Sequence, residues 1–398
     1  MPAQVIKRRS RGFICINAHP EGCRLNVAQQ IATIKAAKPE RSAGMRSALV
    51  IGASTGYGLA SRIAAAWGFG AGTIGVFFER PPEGSKTATA GYYNTAAFHE
   101  FAQRDNLPAG SINGDAFSND CKRQTIELIR RDFGQIDLVI YSLASPRRTH
   151  PDTGEVFNSA LKPVGAPFTS RTIELDAEKV VPVTLEPASE REIADTVAVM
   201  GGDDWNRWIE ALLEADLLAE GARTVAYSYI GPAITWPIYK DGTIGQAKHD
   251  LDVTAYRLNS RLSSTISGRA CISVNKAVVT QASAAIPVVP LYLSLLPLAL
   301  RARKLDEGPI EQMGRLFFDH LIAGAAEDVD DAGRIRLDDR ELRADVQADV
   351  SMLWPNVTTE NLRAITAFGD FQRDFRRLFG FEVDGVDYDA PLETDVKC

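Results

Sequence analysis

The strongest constraint on the fold lies in residues 47–67, where an apolar run passes through a glycine-rich turn directly into a helical pattern. Residues 48–51 form an uncharged run of the kind that is buried on both faces of a parallel sheet. Leu59, Ile63 and Trp67 then recur at helical spacing. The stretch therefore predicts a strand, a tight turn and a helix in immediate succession.

Three glycines occupy this turn, Gly52, Gly56 and Gly58. Glycine accepts a positive φ and lets a ligand approach the backbone, and the helix behind the turn points free N–H groups and the positive end of its dipole at that ligand. A pyrophosphate is the ligand that this arrangement favours. The spacing differs from the G-x-G-x-x-G dinucleotide motif and resembles that of short-chain dehydrogenases/reductases.

A second strand-like run, residues 73–78, ends at Glu79, which lies 21 residues after Gly58. An acidic residue about 20 positions past the glycines is typical of ribose recognition in dinucleotide folds. Such a carboxylate accepts hydrogen bonds from the adenosine 2′- and 3′-hydroxyls and repels a 2′-phosphate. The pattern therefore predicts NAD rather than NADP, with Arg80 an ambiguous neighbour and an ordinary strand-ending turn as the alternative.

The rest of the chain continues the alternation of strands and helices. Strand-like runs at 109–116, 136–142, 223–229 and 271–279 alternate with helical patterns at 120–133, 203–219 and 244–264. This alternation predicts an α/β fold, a Rossmann-like doubly wound parallel sheet with helices on both faces, plus insertions and small peripheral β elements.

We interpret the chain, residues 1–398, as a single large Rossmann-type body with additions to its core. The predicted parts are an N-terminal strand and helix extension (1–45), a nucleotide-binding core (46–145 and 200–325), a proline-rich insertion over the active site (146–199), and C-terminal helices with a hairpin (326–398).

Composition excludes several classes of protein. A net charge of −7 and a pI near 5.4 argue against nucleic acid as the main partner. The five cysteines form no C-x-x-C pair, so reduced thiols in a cytoplasmic protein are the simplest interpretation. Residues 282–300 are nearly uncharged, but three prolines argue against an integral membrane span. No metal is predicted, because His19, His99, His150 and His320 do not sit in a ligand-like cluster.

The second informative stretch places Tyr239 and Lys248 with eight residues between them, after the fifth predicted strand. A phenol with a pKa of about 10 is a poor acid at neutral pH. A nearby ammonium favours the phenolate, and so we expect Lys248 to make Tyr239 a better proton donor. The same ammonium can hold the ribose hydroxyls of a nicotinamide cofactor.

Seven motifs together resemble the FabV/TER family of bacterial trans-2-enoyl-ACP and enoyl-CoA reductases. They are GASTGY (52–57), FFE (77–79), GDAFS (114–118), YSLASPRR (141–148), YSYIGP (227–232), Y-x8-K (239–248) and VVTQASAAIPVVPLY (278–292). The resemblance covers essentially the full length of the chain. It implies a monomeric NADH-dependent enzyme without flavin, which reduces the carbon–carbon double bond of an ACP or CoA thioester in the last step of fatty-acid elongation.

The resemblance also implies roles for particular residues. Tyr239 would be the proton donor assisted by Lys248, and Tyr229 a second hydroxyl that binds the substrate thioester. Cofactor contacts would come from Gly52, Ala53, Ser54, Thr55, Gly56 and Tyr57 at the pyrophosphate and adenosine, Phe78 and Glu79 at the adenosine ribose, Asp115 and Ala116 at the adenine, Leu143 and Ala144 beside the nicotinamide, Lys248 at its ribose, and Val278, Val279 and Thr280 at the carboxamide.

Two other functions stay open on the sequence alone. One is a 3-keto or 3-hydroxyacyl carbonyl oxidoreductase on the same scaffold, and the other is a non-catalytic NAD-binding protein. The retained tyrosine and lysine argue against the second of these.

Overall fold

The computed structural model of the chain describes residues 3–11, 14–39, 44–321 and 328–397. Residues 12–13 of the predicted N-terminal extension, residues 322–325 of the predicted nucleotide-binding core, and Cys398 lie outside the described residues.

A parallel sheet of seven strands forms the centre of the described chain. Its strands, numbered along the chain, are β1 Ser47–Ile51, β2 Gly72–Phe77, β3 Ala109–Asn113, β4 Ile136–Tyr141, β5 Leu218–Ser228, β6 Arg269–Val274 and β7 Arg334–Arg336. Their spatial order is β3-β2-β1-β4-β5-β6-β7, so the direction of winding reverses between β1 and β4. Six of the seven were predicted, and this order confirms the doubly wound fold.

Thirteen α-helices surround the sheet and its additions in the described chain. They are α1 Pro20–Ala37, α2 Gly56–Ile63, α3 Ala90–Arg104, α4 Asn119–Asp132, α5 Glu190–Met200, α6 Asp203–Glu214, α7 Thr243–Ile266, α8 Gln281–Ala285, α9 Val289–Ala302, α10 Pro309–Arg315, α11 Ala344–Leu353, α12 Leu362–Ile365 and α13 Phe368–Arg377.

The sheet has an apolar core on each face, because alternate residues of a strand point to opposite sides. In β1, Ala48 and Val50 face the core formed with α1, α2, α3 and α10. Leu49 and Ile51 face the core formed with α4, α6 and α7. All five residues of β1 are buried, as expected for a central strand covered on both faces.

A third apolar cluster joins α9, α11 and α13 to the two ends of the chain. Here the hairpin predicted within the C-terminal part (326–398) is wrong, because Pro391–Leu392 pairs with Gln4–Val5 at the opposite end of the sequence. The apolar run 282–300 is divided between α8 and α9. Throughout the described residues, no helix combines the length and hydrophobicity needed to cross a membrane.

The segment between β4 and α6 contains two antiparallel ladders and α5, which was not predicted. The ladders pair Arg147–Thr149 with Val156–Asn158, and Phe168–Glu174 with Lys179–Leu185.

Candidate active site

A cavity of about 1620 Å³ opens along the carboxyl ends of the central strands. Residues that follow β1, β2, β3, β4 and β6 line it, and this is the edge at which open α/β sheets bind ligands. The cavity is larger than a typical small-molecule site of roughly 300–1,000 Å³ and has room for more than one ligand.

The glycine turn after β1 has the geometry that its sequence predicts. Gly52 has a φ of +87°, and a Cβ there would lie 2.2 Å from the Ser142 carbonyl oxygen. A Cβ on Gly58 would lie 1.9 Å from the Gly52 oxygen, so only glycine lets α2 pack on the turn. Gly56 has a φ of +52° with open space beside it, and Thr55 makes no side-chain cap to the first turn of α2. The backbone N–H groups at the start of α2 are therefore available to a pyrophosphate.

Five of the six residues predicted in this turn line the cavity, and Ala53 is fully buried behind it. The Tyr57 hydroxyl lies 2.8 Å from the Lys276 carbonyl oxygen, which links the turn to the segment after β6.

Glu79 occupies a prepared position at the end of β2. The Ser54 hydroxyl donates to its Oε1 at 2.8 Å, and its backbone exchanges two hydrogen bonds with the Asn113 side chain. A Cβ on Gly91 would lie 2.0 Å from the same Oε1, so the carboxylate packs directly on the backbone of α3. The neighbouring Phe78 ring is 80% exposed. These contacts fix an anion where the adenosine ribose of a dinucleotide is expected.

The remaining predicted cofactor residues that follow β3, β4 and β6 also line the cavity. They are Asp115, Ala116, Leu143, Ala144, Val278, Val279 and Thr280. The Ala116 carbonyl accepts hydrogen bonds from buried Lys122 and Trp208, which hold this loop in place. Thr280 caps α8 through Ser283, so the carboxamide segment leads into a defined helix.

The three predicted catalytic residues gather at the end of β5, beside the cavity rather than in its lining. Lys248, in α7, donates to the Tyr227 carbonyl at 3.0 Å. The rings of Tyr229 and Tyr239 meet edge to face with centroids 4.8 Å apart. The Tyr239 hydroxyl has no hydrogen-bond partner in the part of the chain that the structure describes, and its ring is partly buried. A phenol in this state is ready to donate to a ligand.

Lys248 is not among the groups that shift the pKa of Tyr239 in this structure, and its expected effect on this phenol stays a prediction. Burial, and then the charge of Glu341, raise the pKa of Tyr239 above its ordinary value. Burial also lowers the pKa of Lys248 to about 8. Both shifts arise because the groups lie in a poorly solvated region, where a neutral form is favoured. At neutral pH, Tyr239 therefore keeps its proton and Lys248 is mostly an ammonium.

Sequence reasoning missed two buried charged residues at this site, Lys276 and Glu341. Lys276 is 6% exposed, lines the cavity, and lies two residues before the predicted carboxamide segment. Glu341 is fully buried and accepts a hydrogen bond from the Tyr229 hydroxyl at 3.0 Å. Lys276 could have been noticed as a charge between β6 and the 278–292 motif, whereas nothing near Glu341 in the sequence marks it.

Three family descriptions match successive parts of the chain. Residues 5–84 match the NAD(P)H binding domain of trans-2-enoyl-CoA reductase, and residues 86–322 match the trans-2-enoyl-CoA reductase catalytic region. Residues 329–392 match a family described as the enoyl reductase FAD binding domain.

Full-length relatives and solved structures are similar to the whole chain. The enoyl-acyl-carrier-protein reductase (NADH) of Erwinia tasmaniensis is 56% identical over 393 residues, which cover 99% of this chain and 98% of the relative. The corresponding Vibrio cholerae protein is 53% identical over 395 residues, covering 99% and 98%. The crystal structure of Treponema denticola trans-2-enoyl-CoA reductase in complex with NAD superposes with a TM-score of 0.94 at 46% identity and covers 97% of this chain and 98% of that one. The Clostridium acetobutulicum enzyme in complex with NADH gives 0.94 at 41% identity, covering 98% of each chain.

The residues of 329–392 do not fit a flavin dinucleotide, although the family description names one. Within that range, the cavity lining consists of Phe371, Asp374, Arg377, Leu378 and Phe379. A dinucleotide needs a cradle of N–H donors for its pyrophosphate. Arg377 is the one cation among these five residues, and it donates to Gln29. The glycine turn that could form such a cradle lies at 52–58, outside this range. The proposed reaction therefore includes no flavin step.

Proposed function

Because this chain belongs to the trans-2-enoyl-CoA reductase family, we propose that it uses NADH to reduce the carbon–carbon double bond of trans-2-enoyl thioesters in fatty-acid elongation, with acyl carrier protein or CoA as the carrier. The observation that carries the proposal is the partner-free phenol of Tyr239, which lies at the end of β5 next to a cavity with a pyrophosphate-binding turn. That arrangement combines a cofactor site with a proton donor.

The predicted cofactor contacts are proposed to act along the length of one dinucleotide. The 52–57 turn would hold the pyrophosphate, and Glu79 the adenosine ribose. Asp115 and Ala116 would contact the adenine, and the residues that follow β4 and β6 would flank the nicotinamide. Lys248 gives one of its three N–H groups to the Tyr227 carbonyl and keeps two for the nicotinamide ribose hydroxyls.

NADH, when bound, supplies a hydride to the β-carbon of the enoyl group. Negative charge then develops on the thioester oxygen, and a hydrogen-bond donor placed there stabilises it. We assign this donor to Tyr239, which keeps its proton at neutral pH because burial raises its pKa. A donor of this kind is worth about 3–4 kcal/mol of activation free energy. The α-carbon proton comes from the Tyr239 hydroxyl or from water.

We also propose that the 146–199 insertion covers the catalytic residues. Pro163 pairs with Gly242 in an isolated antiparallel bridge, and the Thr243 N–H donates to the Lys162 carbonyl at 3.0 Å. These bonds attach the insertion to the start of α7, the helix that carries Lys248.

A monomeric state and a cytoplasmic location are further proposals, which rest on the resemblance of the sequence motifs. Free thiols at Cys15, Cys23, Cys121 and Cys271 support a reducing environment. Light scattering after size-exclusion chromatography tests the first proposal, since a monomer of this chain has a mass of 43.3 kDa.

The direct test of function is to mix the protein and NADH with either crotonyl-CoA or acetoacetyl-CoA and follow the near-ultraviolet absorbance of NADH. We expect rapid loss of NADH with crotonyl-CoA and little with acetoacetyl-CoA. The reverse pattern would indicate a carbonyl oxidoreductase. NADH binding without turnover of either thioester would indicate a non-catalytic protein.

A further inference from the structure

Glu341 is a carboxylate enclosed within the catalytic region. It is 0% exposed and lies between β7 and α11. Its Oε1 accepts hydrogen bonds from the hydroxyls of Tyr229 at 3.0 Å and Tyr292 at 2.6 Å, and its Oε2 accepts one from the Ala277 N–H at 2.7 Å. A buried carboxylate requires such donors, because an unpaired one is strongly destabilised.

Two of these three donors belong to different parts of the proposed site, and the third, Tyr292, has no role assigned there. Tyr229 follows β5, and its ring packs on that of the proposed proton donor, Tyr239. Ala277 follows β6 and precedes the proposed carboxamide segment, 278–280. Tyr292 lies in α9. A single side chain thus connects the substrate side of the site to the nicotinamide side.

The charged and titratable groups around Glu341 in the described chain include Lys276, Tyr57, Tyr229, Tyr239 and Tyr292. Burial raises the pKa of Glu341, and the hydrogen bonds from Tyr292 and the Ala277 N–H, together with the charge of Lys276, act in the opposite direction. The net result is a pKa above the ordinary value for a glutamate, with an ammonium and three N–H or O–H donors offsetting part of the effect of burial.

The hydroxyl proton of Tyr229 is directed at Glu341 in this arrangement. A phenol carries one proton, and in this structure Tyr229 donates it to Glu341. While it does so, that proton is not available to a substrate oxygen, so the proposed donor at the thioester is Tyr239, whose ring meets the Tyr229 ring edge to face at 4.8 Å. To donate to a thioester oxygen Tyr229 would have to turn away from Glu341, which would keep Tyr292 and Ala277 as partners.

We infer that Glu341 is a positioning residue for the conjugate reduction, which holds the Tyr229 hydroxyl and the 277–280 backbone in one fixed arrangement. This inference rests on the proposed function. Glu341 acts through Tyr229 on the position of the Tyr239 ring and through Ala277 on the proposed carboxamide segment, and no contact with substrate or cofactor is assigned to Glu341 itself.

The isosteric variant Glu341→Gln tests the arrangement, because an amide offers one acceptor and one donor where the carboxylate offers two acceptors. If its oxygen meets the two tyrosines, its NH2 group opposes the Ala277 N–H. If the amide is reversed, both tyrosines lose their acceptor. In either orientation at least one partner is left unsatisfied, and a lost hydrogen bond to a charged group corresponds to a change of roughly 10- to 100-fold.

The experiment measures kcat and KM for crotonyl-CoA and the Kd for NADH in four proteins, namely wild type, Glu341→Gln, Tyr229→Phe and the double variant. We expect Glu341→Gln to lower kcat/KM at least about tenfold while the protein stays folded. Because Glu341 acts through Tyr229, the double variant should lose little more than the worse single variant, and such non-additivity is the signature of a shared interaction.

Tyr292→Phe is the matched control, since it removes another hydroxyl from the same carboxylate and leaves the bonds to Tyr229 and Ala277. We expect it to lower the melting temperature but to change kcat/KM by less than about threefold. Additive losses in the double variant, an unchanged kcat/KM in Glu341→Gln, or an equal loss in Tyr292→Phe would overturn the inference. An inactive wild-type protein would instead overturn the proposed function.

Discussion

The choice of NADH over NADPH depends on the carboxylate of Glu79, and Glu79→Gln tests this directly. The substitution keeps the side-chain shape, so packing on Gly91 and the hydrogen bond from the Ser54 hydroxyl can persist. It removes one negative charge at the position proposed for the adenosine ribose. The variant should therefore separate the effect of charge from that of shape.

The expected size follows from the repulsion between Glu79 and a 2′-phosphate. At about 4 Å, two unit charges interact by about 1 kcal/mol in bulk water and by about 4 kcal/mol near a protein surface. A phosphate carries about 1.5 to 2 charges, so even the bulk-water value gives about 2 kcal/mol, or roughly 30-fold in NADPH affinity. The amide oxygen in Glu79→Gln still accepts a hydrogen bond, so replacing a charge-assisted bond by a neutral one should weaken NADH by about 1 kcal/mol, or roughly fivefold. The two effects together should shift cofactor preference by roughly 100-fold.

The assay compares kcat/KM for NADH and NADPH at low ionic strength with crotonyl-CoA held constant. Ser54→Ala is the matched control, because it removes the hydroxyl that orients Glu79 but leaves its charge. That control should weaken both cofactors and keep the preference for NADH. An unchanged preference in Glu79→Gln, or an equal shift in Ser54→Ala, would refute the reasoning.

Two further predictions concern the turn and the pH dependence of stability. Gly58→Ala places a Cβ 1.9 Å from the Gly52 oxygen, so we expect the turn to open. NADH titrations should then show at least about tenfold weaker binding, and the free energy of unfolding should fall by roughly 1–3 kcal/mol. An NADH Kd equal to that of wild type would contradict this prediction. Burial lowers the pKa of His19, the N-cap of α1, to about 4, so the folded protein resists protonation that the unfolded chain accepts below about 6.5. The free energy of unfolding should therefore fall as the pH is lowered from 6.5 to 4. His19→Asn, which keeps a capping side chain, should reduce this pH dependence when stability is measured by denaturant titration. An identical pH dependence in the variant and in wild type would argue against this role for His19.

Local sequence patterns predicted most of the central fold. The run in β1, the glycine turn and α2 are adjacent in the chain, so the backbone and packing rules that shape them act on neighbouring residues. The same holds for Glu79, which directly follows β2.

Features that depend on distant residues were not predicted. β7 has only three residues and is recognisable as a strand only beside β6. Pro391–Leu392 finds its partner at Gln4–Val5, which no local pattern can indicate. Glu341 lies in a polar stretch, and its importance comes from donors 49, 64 and 112 positions away in the chain.

The measurement that tests the central claim most directly is turnover by Tyr239→Phe, with NADH affinity measured on the same protein. The claim is that the Tyr239 hydroxyl stabilises the developing charge on the substrate and takes no part in holding the cofactor. We predict an NADH Kd close to that of wild type and a kcat with crotonyl-CoA lower by about 100- to 1,000-fold. A kcat near that of wild type would remove Tyr239 from the mechanism and contradict the account.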